Sequence, residues 1–206
     1  MKKLLLLSLL LLAFMQTLQA HPVIWKDGKA LLYKNDNGLS ETQMLYSVTQ
    51  RWALGLRQLN FDDSDTTWTS IQSNALLKRW NQSGSQANLY GLAGLLIESE
   101  SDESLKTTLA LQADWESRRY YSYARVDYFP ADESTLLLVA RLGFAPYIAD
   151  FDGYHSWLML QYSNHIEGGS NSSTVMPVVR VFKDNILLEY GSDFSTAHFV
   201  AAMFHF

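Results

Sequence analysis

The sequence predicts an all-β protein, folded as an antiparallel barrel of about twelve strands. First, the chain from residue 29 onward reads as extended segments separated by turn residues, without long helical periodicity. Second, apolar and polar side chains alternate along these segments, as in a sheet with two different faces. Third, the final segment carries an apolar face that runs to an aromatic last residue and consists of Val200, Ala202, Phe204 and Phe206.

The first twenty residues predict a secretory signal peptide. Lys2 and Lys3 precede an apolar stretch of about a dozen residues, which is too short to span a bilayer as a helix. Cleavage is expected after Ala20, so that residues 21–206 form the mature barrel and His21 becomes its first residue. Because the chain contains no cysteine, a cysteine-linked lipid anchor, disulfides and thiolate metal sites are excluded.

Composition narrows the classes of partner. The net charge is −5, and the leader contributes two lysines, so the mature chain is more acidic still. Nucleic acid is therefore not an expected partner, since its binding requires a basic surface. Aromatic residues make up 13% of the chain and charged residues only 18%, a balance that favours a membrane barrel over a soluble periplasmic protein.

Turn residues divide the chain into twelve predicted strands, or ten if the N-terminal part lies outside the wall. The predicted strands are 29–35, 41–49, 52–61, 68–80, 86–98, 105–116, 119–129, 135–147, 155–165, 174–183, 185–192 and 197–206. Tight turns are predicted on one rim at 50–51, 81–85, 117–118 and 184–185. Longer polar links are predicted on the other rim at 35–40, 62–67, 99–104, 130–134 and 165–173. Since bacterial transmembrane barrels have short periplasmic turns and longer outer loops, both termini are placed on the periplasmic rim.

Alternation alone does not say which face of the wall points inward. A soluble lipocalin-like barrel has the same period with apolar residues inside, and it stays open as an alternative. The terminal Phe206 and the mixed-sign charges of the polar face favour the membrane barrel. So do aromatic residues near strand ends, where interfacial girdles need them. These residues are Trp52, Trp68, Trp80, Trp115, Tyr128, Tyr147 and Trp157.

If the polar face lines the lumen, it carries a network of opposite charges. The predicted members are Arg57, Lys78, Lys106, Asp114, Glu116, Arg119, Arg125, Asp127, Arg141, Arg180 and Glu189. A two-residue turn at 184–185 would set Arg180 opposite Glu189. A turn at 117–118 would likewise set Glu116 opposite Arg119 and Asp114 opposite Tyr121. Such a lumen is either a selective pore or one that its own salt bridges and tyrosines close.

No motif of a hydrolase, metalloprotease or nucleotide-binding protein occurs, so no catalytic residue and no cofactor is predicted. His155 and Ser156 are adjacent on a strand and point to opposite faces. Ser163 and His165 share a face, but no acid is evident to orient them, because Glu167 falls in a predicted loop. We expect no metal centre. His21 alone has matching chemistry, since a terminal amine and an imidazole chelate Cu(II), but we favour an unstructured terminus over this metal role.

Several stretches carry a resemblance to known proteins. They are 21–24, 46–49, 51–55, 113–118, 143–147 and 177–180, together with Asn185 and Glu189. On them the mature chain resembles the small outer-membrane β-barrel proteins of Gram-negative bacteria, and it is similar to an uncharacterised family of exported proteins. The resemblance implies contact with outer-membrane lipids and lipopolysaccharide. It also implies that the barrel assembly machinery reads the last strand, although Ala202 departs from the aromatic residue usual at that position.

The function expected from the sequence is that of a non-enzymatic outer-membrane barrel. The leading hypothesis is a narrow pore or passive transport protein for small solutes or ions. The alternatives are a plugged structural or interaction barrel, which could meet a metal-handling partner through His21, a lipid-modifying enzyme, and a soluble periplasmic ligand-binding barrel.

Overall fold

The computed structural model describes residues 21–62, 66–98, 105–130, 134–150 and 153–206, which form one closed antiparallel barrel of twelve strands. The strands are β1 (Lys29–Asp36), β2 (Leu39–Thr49), β3 (Trp52–Phe61), β4 (Thr66–Gln82), β5 (Ser85–Glu98), β6 (Lys106–Ser117), β7 (Tyr120–Phe129), β8 (Thr135–Phe144), β9 (His155–Glu167), β10 (Ser170–Lys183), β11 (Ile186–Ser192) and β12 (His198–His205). The predicted all-β barrel with twelve strands is confirmed. The predicted signal peptide, residues 1–20, lies outside the described residues.

The last strand closes the barrel. β12 pairs with β1 from Ala30 opposite His205 to Asp36 opposite Phe199, and on its other side with β11. Phe206 extends this seam, because its backbone exchanges two hydrogen bonds with Lys29, at 2.8 and 3.0 Å. Every strand therefore has two neighbours, and no sheet edge is left among the described strands.

The two rims differ less in loop length than the sequence predicted. On the rim that holds the termini, four connections are two-residue turns, whereas the β8–β9 link spans residues 145–154. On the opposite rim, two of the links predicted to be long are two-residue turns. These are Asn37–Gly38 and Gly168–Gly169, where positive φ angles allow the chain to reverse tightly. The strands extend into these segments because their backbone pairing continues beyond the apolar stretch from which they were recognised.

The outer face of the wall is apolar. The side chains that alternate with the lumen-facing ones include many exposed leucines, isoleucines and valines, such as Leu56, Ile71 and Leu142. Among the described strand residues, the outward-facing charged side chains are three lysines close to the termini rim: Lys29, Lys78 and Lys183. No helix long and apolar enough to cross a membrane occurs in the described part of the chain.

Two of the predicted girdle residues face the other way. Trp68 and Trp157 are only 3% and 7% exposed and point into the barrel, where each belongs to an apolar cluster. Trp68 packs against Phe61 and Phe129, and Trp157 against Tyr121. The prediction was wrong for these two residues because an aromatic side chain near a strand end fits a membrane interface and a narrow lumen equally well.

Candidate functional site

The lumen of the barrel is the candidate site, and a four-residue network crosses its middle. Arg57 of β3 donates from Nε to Glu41 Oε1 at 2.7 Å and from Nη1 to Asp127 Oδ1 at 2.6 Å. Asp127 also accepts two hydrogen bonds from Arg125, at 2.7 and 2.8 Å. Because β3 and β7 lie four strands apart in the ring of twelve, the contact between Arg57 and Asp127 spans the lumen.

A second network is built around Glu189 of β11. Arg180 donates from Nε to Glu189 Oε1 at 2.6 Å, and Arg141 of β8 reaches the same carboxylate at 3.0 Å. The register places Arg180 opposite Glu189, so the predicted pair across this hairpin is observed. Arg141 donates in addition to Gln161, whose amide donates to Asp36 of β1 at 3.1 Å. This chain of contacts also crosses the lumen, from β8 to β1.

Aromatic faces hold the arginines in place. The guanidinium of Arg180 lies 4.7 Å from the centroid of Tyr121, and that of Arg141 lies 4.8 Å from Phe199. Arg57 stacks over Phe129 at 5.3 Å. A guanidinium over a ring face keeps its planar fork oriented while its edge donates to a carboxylate. The charged groups are therefore fixed side chains rather than mobile ones.

The segment before β1 enters the lumen from the termini rim. Val23 is buried in an apolar cluster with Ala53, Leu76 and Tyr90, and the Pro22 carbonyl accepts a 3.1 Å hydrogen bond from Asn74. Backbone hydrogen bonds to β2 continue this anchoring, including Asp27 N to Ser47 O at 2.8 Å. The residues that follow the predicted cleavage site thus fill one end of the barrel. The prediction of an unstructured terminus is therefore wrong, and no periodicity in so short a segment could have shown its position.

The structure places most of the predicted charge network on the lumen side, but it corrects Lys78. A β-bulge between Leu76 and Lys78 shifts the alternation of β4 by one residue. Lys78 is consequently exposed on the outer face beside Trp80, at 5.9 Å from the ring centroid. Arg79 takes the inward position instead and donates to Asn88 at 2.6 Å. A strict period of two cannot detect such a bulge, so the sequence pointed to the wrong cation.

Arg119 is the second correction. The turn after β6 consists of Arg118 and Arg119 rather than of residues 117–118, and Arg119 is exposed on the rim. The register is therefore two residues away from the predicted one: Glu116 lies opposite Tyr121 and Asp114 opposite Tyr123. Because side chains alternate with a period of two, a register shift of two residues leaves each side chain on the same face of the sheet. Lys106 remains on the lumen side as predicted and is half-buried.

Asp114 and Glu116 lie apart from the arginine networks, towards the termini rim. Asn88 donates to Asp114 Oδ1 at 2.7 Å, and His21 Nδ1 lies 3.5 Å from Asp114 Oδ2. Asp114 Oδ2 and Glu116 Oε2 are buried atoms that accept no hydrogen bond within the described residues. Among the described residues, neither of these two carboxylates forms a direct ion pair with a lumen arginine.

A cavity of about 160 Å³ remains between these groups. It begins at His21 and Pro22 and reaches Asn37 and Ser172 near the opposite rim, so the N-terminal segment closes one end of it. Five cationic and three anionic side chains line it, which are Lys34, Arg57, Arg125, Arg141, Arg180, Asp36, Asp127 and Glu189. By the volume that one buried water occupies, this cavity holds roughly ten waters.

The side chains considered for hydrolysis do not assemble into a triad. Ser156 contacts the Tyr147 hydroxyl at 2.9 Å, whereas His155 packs on Phe182 on the other face. Ser163 donates to Asp36 at 2.9 Å, and His165 lies 3.3 Å from Glu167. No group of three or more His, Cys, Asp or Glu side chains able to hold a metal ion occurs within the described ranges.

The barrel is similar to a solved porin. The KdgM porin superimposes with a TM-score of 0.52 at 12% sequence identity, over 87% of this chain and 99% of that chain. A structure of the KdgM porin in complex with disordered oligogalacturonate has the same score, identity and coverage. At this identity the likeness concerns the fold. No family model and no curated protein matches the sequence, and the resemblance to an uncharacterised exported family stays a prediction.

Proposed function

We propose that this chain is a porin-like barrel of the outer membrane that passes small solutes through a narrow, charge-lined lumen. The observation that carries the proposal is a closed sheet whose outer wall is largely apolar and whose lumen contains two networks of charged side chains. A wall of this kind is stable in hydrocarbon, because all strand hydrogen bonds are satisfied within the barrel. In water it would expose a large apolar surface. The fold shared with the KdgM porin supports the same function.

The predicted location in the membrane is tested by gel mobility. The protein is exported from a Gram-negative host, the outer-membrane fraction is isolated, and samples are run in SDS with and without boiling. A folded transmembrane barrel migrates differently from its boiled form, since SDS does not open a closed sheet. Recovery in the soluble periplasmic fraction, with one mobility before and after heating, would contradict the proposal and favour a soluble ligand-binding barrel.

We propose further that the lumen prefers small anions. Its remaining cavity is lined by more cationic than anionic side chains, and three of the arginines are held against aromatic rings. Fixed cations in a narrow, partly desolvated passage attract anions over cations. Oligogalacturonate, the molecule named with the KdgM porin, carries carboxylates, and this likeness supports the same class of solute without giving its size.

Reversal potentials in a planar bilayer under a KCl gradient test the anion preference. Arg125→Gln removes a lumen cation while leaving Asp127 paired with Arg57, and we expect the chloride preference to fall. Lys78→Gln removes the same charge from the outer face, and Arg119→Gln removes it from the rim. Both control variants should keep the reversal potential of the natural protein. An unchanged potential in Arg125→Gln, or equal shifts in all three variants, would contradict this function of the lumen.

A closed barrel is the second candidate function, and a specific observation favours it. Two networks of side chains cross the lumen, and residues from His21 to Val23 fill one end. A barrel of this kind would act through its outer loops rather than as a passage. Single-channel recordings separate the two candidates: discrete conductance in the natural protein supports the pore, and a silent bilayer with verified insertion supports the closed barrel.

A further inference from the structure

The N-terminal segment places the imidazole of His21 beside the carboxylate of Asp114 inside the barrel. His21 Nδ1 lies 3.0 Å from the Tyr90 hydroxyl and 3.5 Å from Asp114 Oδ2. The side chain of His21 is 11% exposed and that of Asp114 is 2% exposed. Val23 and Pro22 fix this position through the apolar cluster and the hydrogen bond from Asn74. The imidazole is thus held facing a carboxylate in a secluded part of the barrel.

One carboxylate oxygen of Asp114, Oδ2, is buried beside His21 and accepts no hydrogen bond within the described residues. The other oxygen, Oδ1, accepts a hydrogen bond from Asn88. A buried carboxylate oxygen without a partner is costly, because it has lost its water and gained nothing in exchange. Oδ2 is the oxygen closest to His21 Nδ1. The imidazole nitrogen of His21 and this oxygen of Asp114 are therefore placed so that both could bind one metal ion.

Signal-peptide cleavage would add a third ligand at this position. If the chain is cut after Ala20, the α-amino group of His21 becomes free on the same residue as the imidazole. The amine and Nδ1 can then close a six-membered chelate ring around one metal ion. Nitrogen and oxygen ligands lie about 2 Å from such an ion, so neighbouring ligands are about 3 Å apart, close to the separation seen here. Pro22 has no N–H and so offers no backbone nitrogen as a ligand.

We propose that the mature N-terminus forms a Cu(II) site inside the lumen, with the His21 α-amine, His21 Nδ1 and Asp114 Oδ2 as ligands. Two nitrogens and one oxygen suit Cu(II), which binds most strongly among the divalent first-row metals. The Tyr90 hydroxyl is placed as an additional weak donor. The site contains only two metal-binding side chains, because its third ligand is a main-chain amine that cleavage creates. The proposal rests on the predicted cleavage and is independent of the pore function.

Bound copper would also hold the N-terminal segment in the barrel. The ion would join the segment to β6 through Asp114 and would neutralise part of the negative charge that Asp114 and Glu116 place there. Because a ligand that binds only the folded state stabilises that state, the thermal unfolding temperature of the barrel should rise with added Cu(II). Through this contact, metal loading and closure of the termini-side end are coupled.

The test uses the mature protein, folded in detergent, with its N-terminus established by intact mass and all metal removed by a chelator. Titration with CuSO₄ should show one saturable site, and the electron paramagnetic resonance spectrum should show coupling to two nitrogens. Asp114→Asn should weaken Cu(II) binding about tenfold or more, as the loss of a supporting ligand does. The unprocessed chain that keeps residues 1–20, refolded in the same detergent, should show a similar loss because its amine is blocked. His165→Gln, which removes a histidine paired with Glu167 near the other rim, should bind Cu(II) as the natural protein does.

Heat-dependent gel mobility verifies that each variant is folded before its binding is compared. A mature chain that does not begin at His21 would overturn the proposal, as would the absence of a saturable site. Loss of binding in His21→Gln without any loss in Asp114→Asn would also overturn it, since copper would then sit on a terminus outside the lumen. Conductance does not report on Cu(II) binding, so a silent bilayer would contradict the pore function without contradicting the metal site. The two proposals can therefore fail separately.

Discussion

Replacing Glu189 with glutamine should destabilise this barrel more than replacing any other single member of the lumen networks. Glu189 is the carboxylate that both Arg180 and Arg141 reach, at 2.6 and 3.0 Å, and all three side chains are at most 10% exposed. Glu189→Gln keeps the shape of the side chain but removes the one carboxylate with which both buried guanidinium groups form direct ion pairs among the described residues. Breaking a buried pair by removing one partner costs about 3–5 kcal/mol in free energy of unfolding.

Arg57→Met provides the matched comparison. Arg57 also makes two short ion pairs, but each of its partners keeps another cation: Glu41 has Lys34 at 2.5 Å, and Asp127 has Arg125 at 2.7 Å. The methionine fills the space over Phe129, and no carboxylate is left alone. We therefore expect a loss of about 1–3 kcal/mol, which corresponds to the charged hydrogen bonds removed. The two variants differ because Glu189→Gln leaves buried charges unpaired, whereas Arg57→Met does not.

Equilibrium unfolding in urea, with the barrel folded into lipid vesicles and followed by tryptophan fluorescence, measures both free energies. The dependence of the free energy on urea should stay the same in each variant, so that midpoints can be compared. Arg119→Gln, on the exposed rim, is the neutral control and should remain within about 0.5 kcal/mol of the natural protein. If Arg57→Met lowers the free energy of unfolding as much as Glu189→Gln or more, unpaired buried charge does not explain the difference between the variants.

Three further predictions concern the wall and the closed end. Gly191→Ala should lower the free energy of unfolding by about 1–3 kcal/mol in the same assay. The added Cβ would come within 2.8 Å of Val178 and 3.0 Å of the Pro177 carbonyl. Gly84→Ala is the control, because a Cβ there meets open space. Val23→Glu should expel the N-terminal segment from its apolar cluster, which raises single-channel conductance, whereas Trp25→Glu, at a partly exposed site, should change it less. Phe206→Ala keeps the backbone hydrogen bonds to Lys29, so the refolded barrel should be as stable as the natural one. Its yield in the outer membrane of cells should nevertheless fall. Equal yields would contradict recognition of Phe206 by the barrel assembly machinery.

The twelve-stranded barrel and the alternation of two faces along its wall could be predicted from the sequence. The reason is local: side chains of a strand alternate with a period of two, and an outer wall in lipid requires an apolar residue at every second position. The same regularity fixed the pairing of Arg180 with Glu189, since a two-residue turn leaves one register. These features depend only on residues that are neighbours along the chain or across one hairpin.

The features that depend on the whole ring of strands could not be predicted from the sequence. The bulge at Leu76 turned Lys78 outward and Arg79 inward, and it breaks the period without a marker in the residues themselves. The contact of Arg57 with Asp127 joins strands that are distant in sequence and meet only when the barrel closes. The place of His21 beside Asp114 likewise depends on the closed barrel. A short terminal segment has no period of its own, and it lies where the lumen offers an apolar cluster and a buried carboxylate.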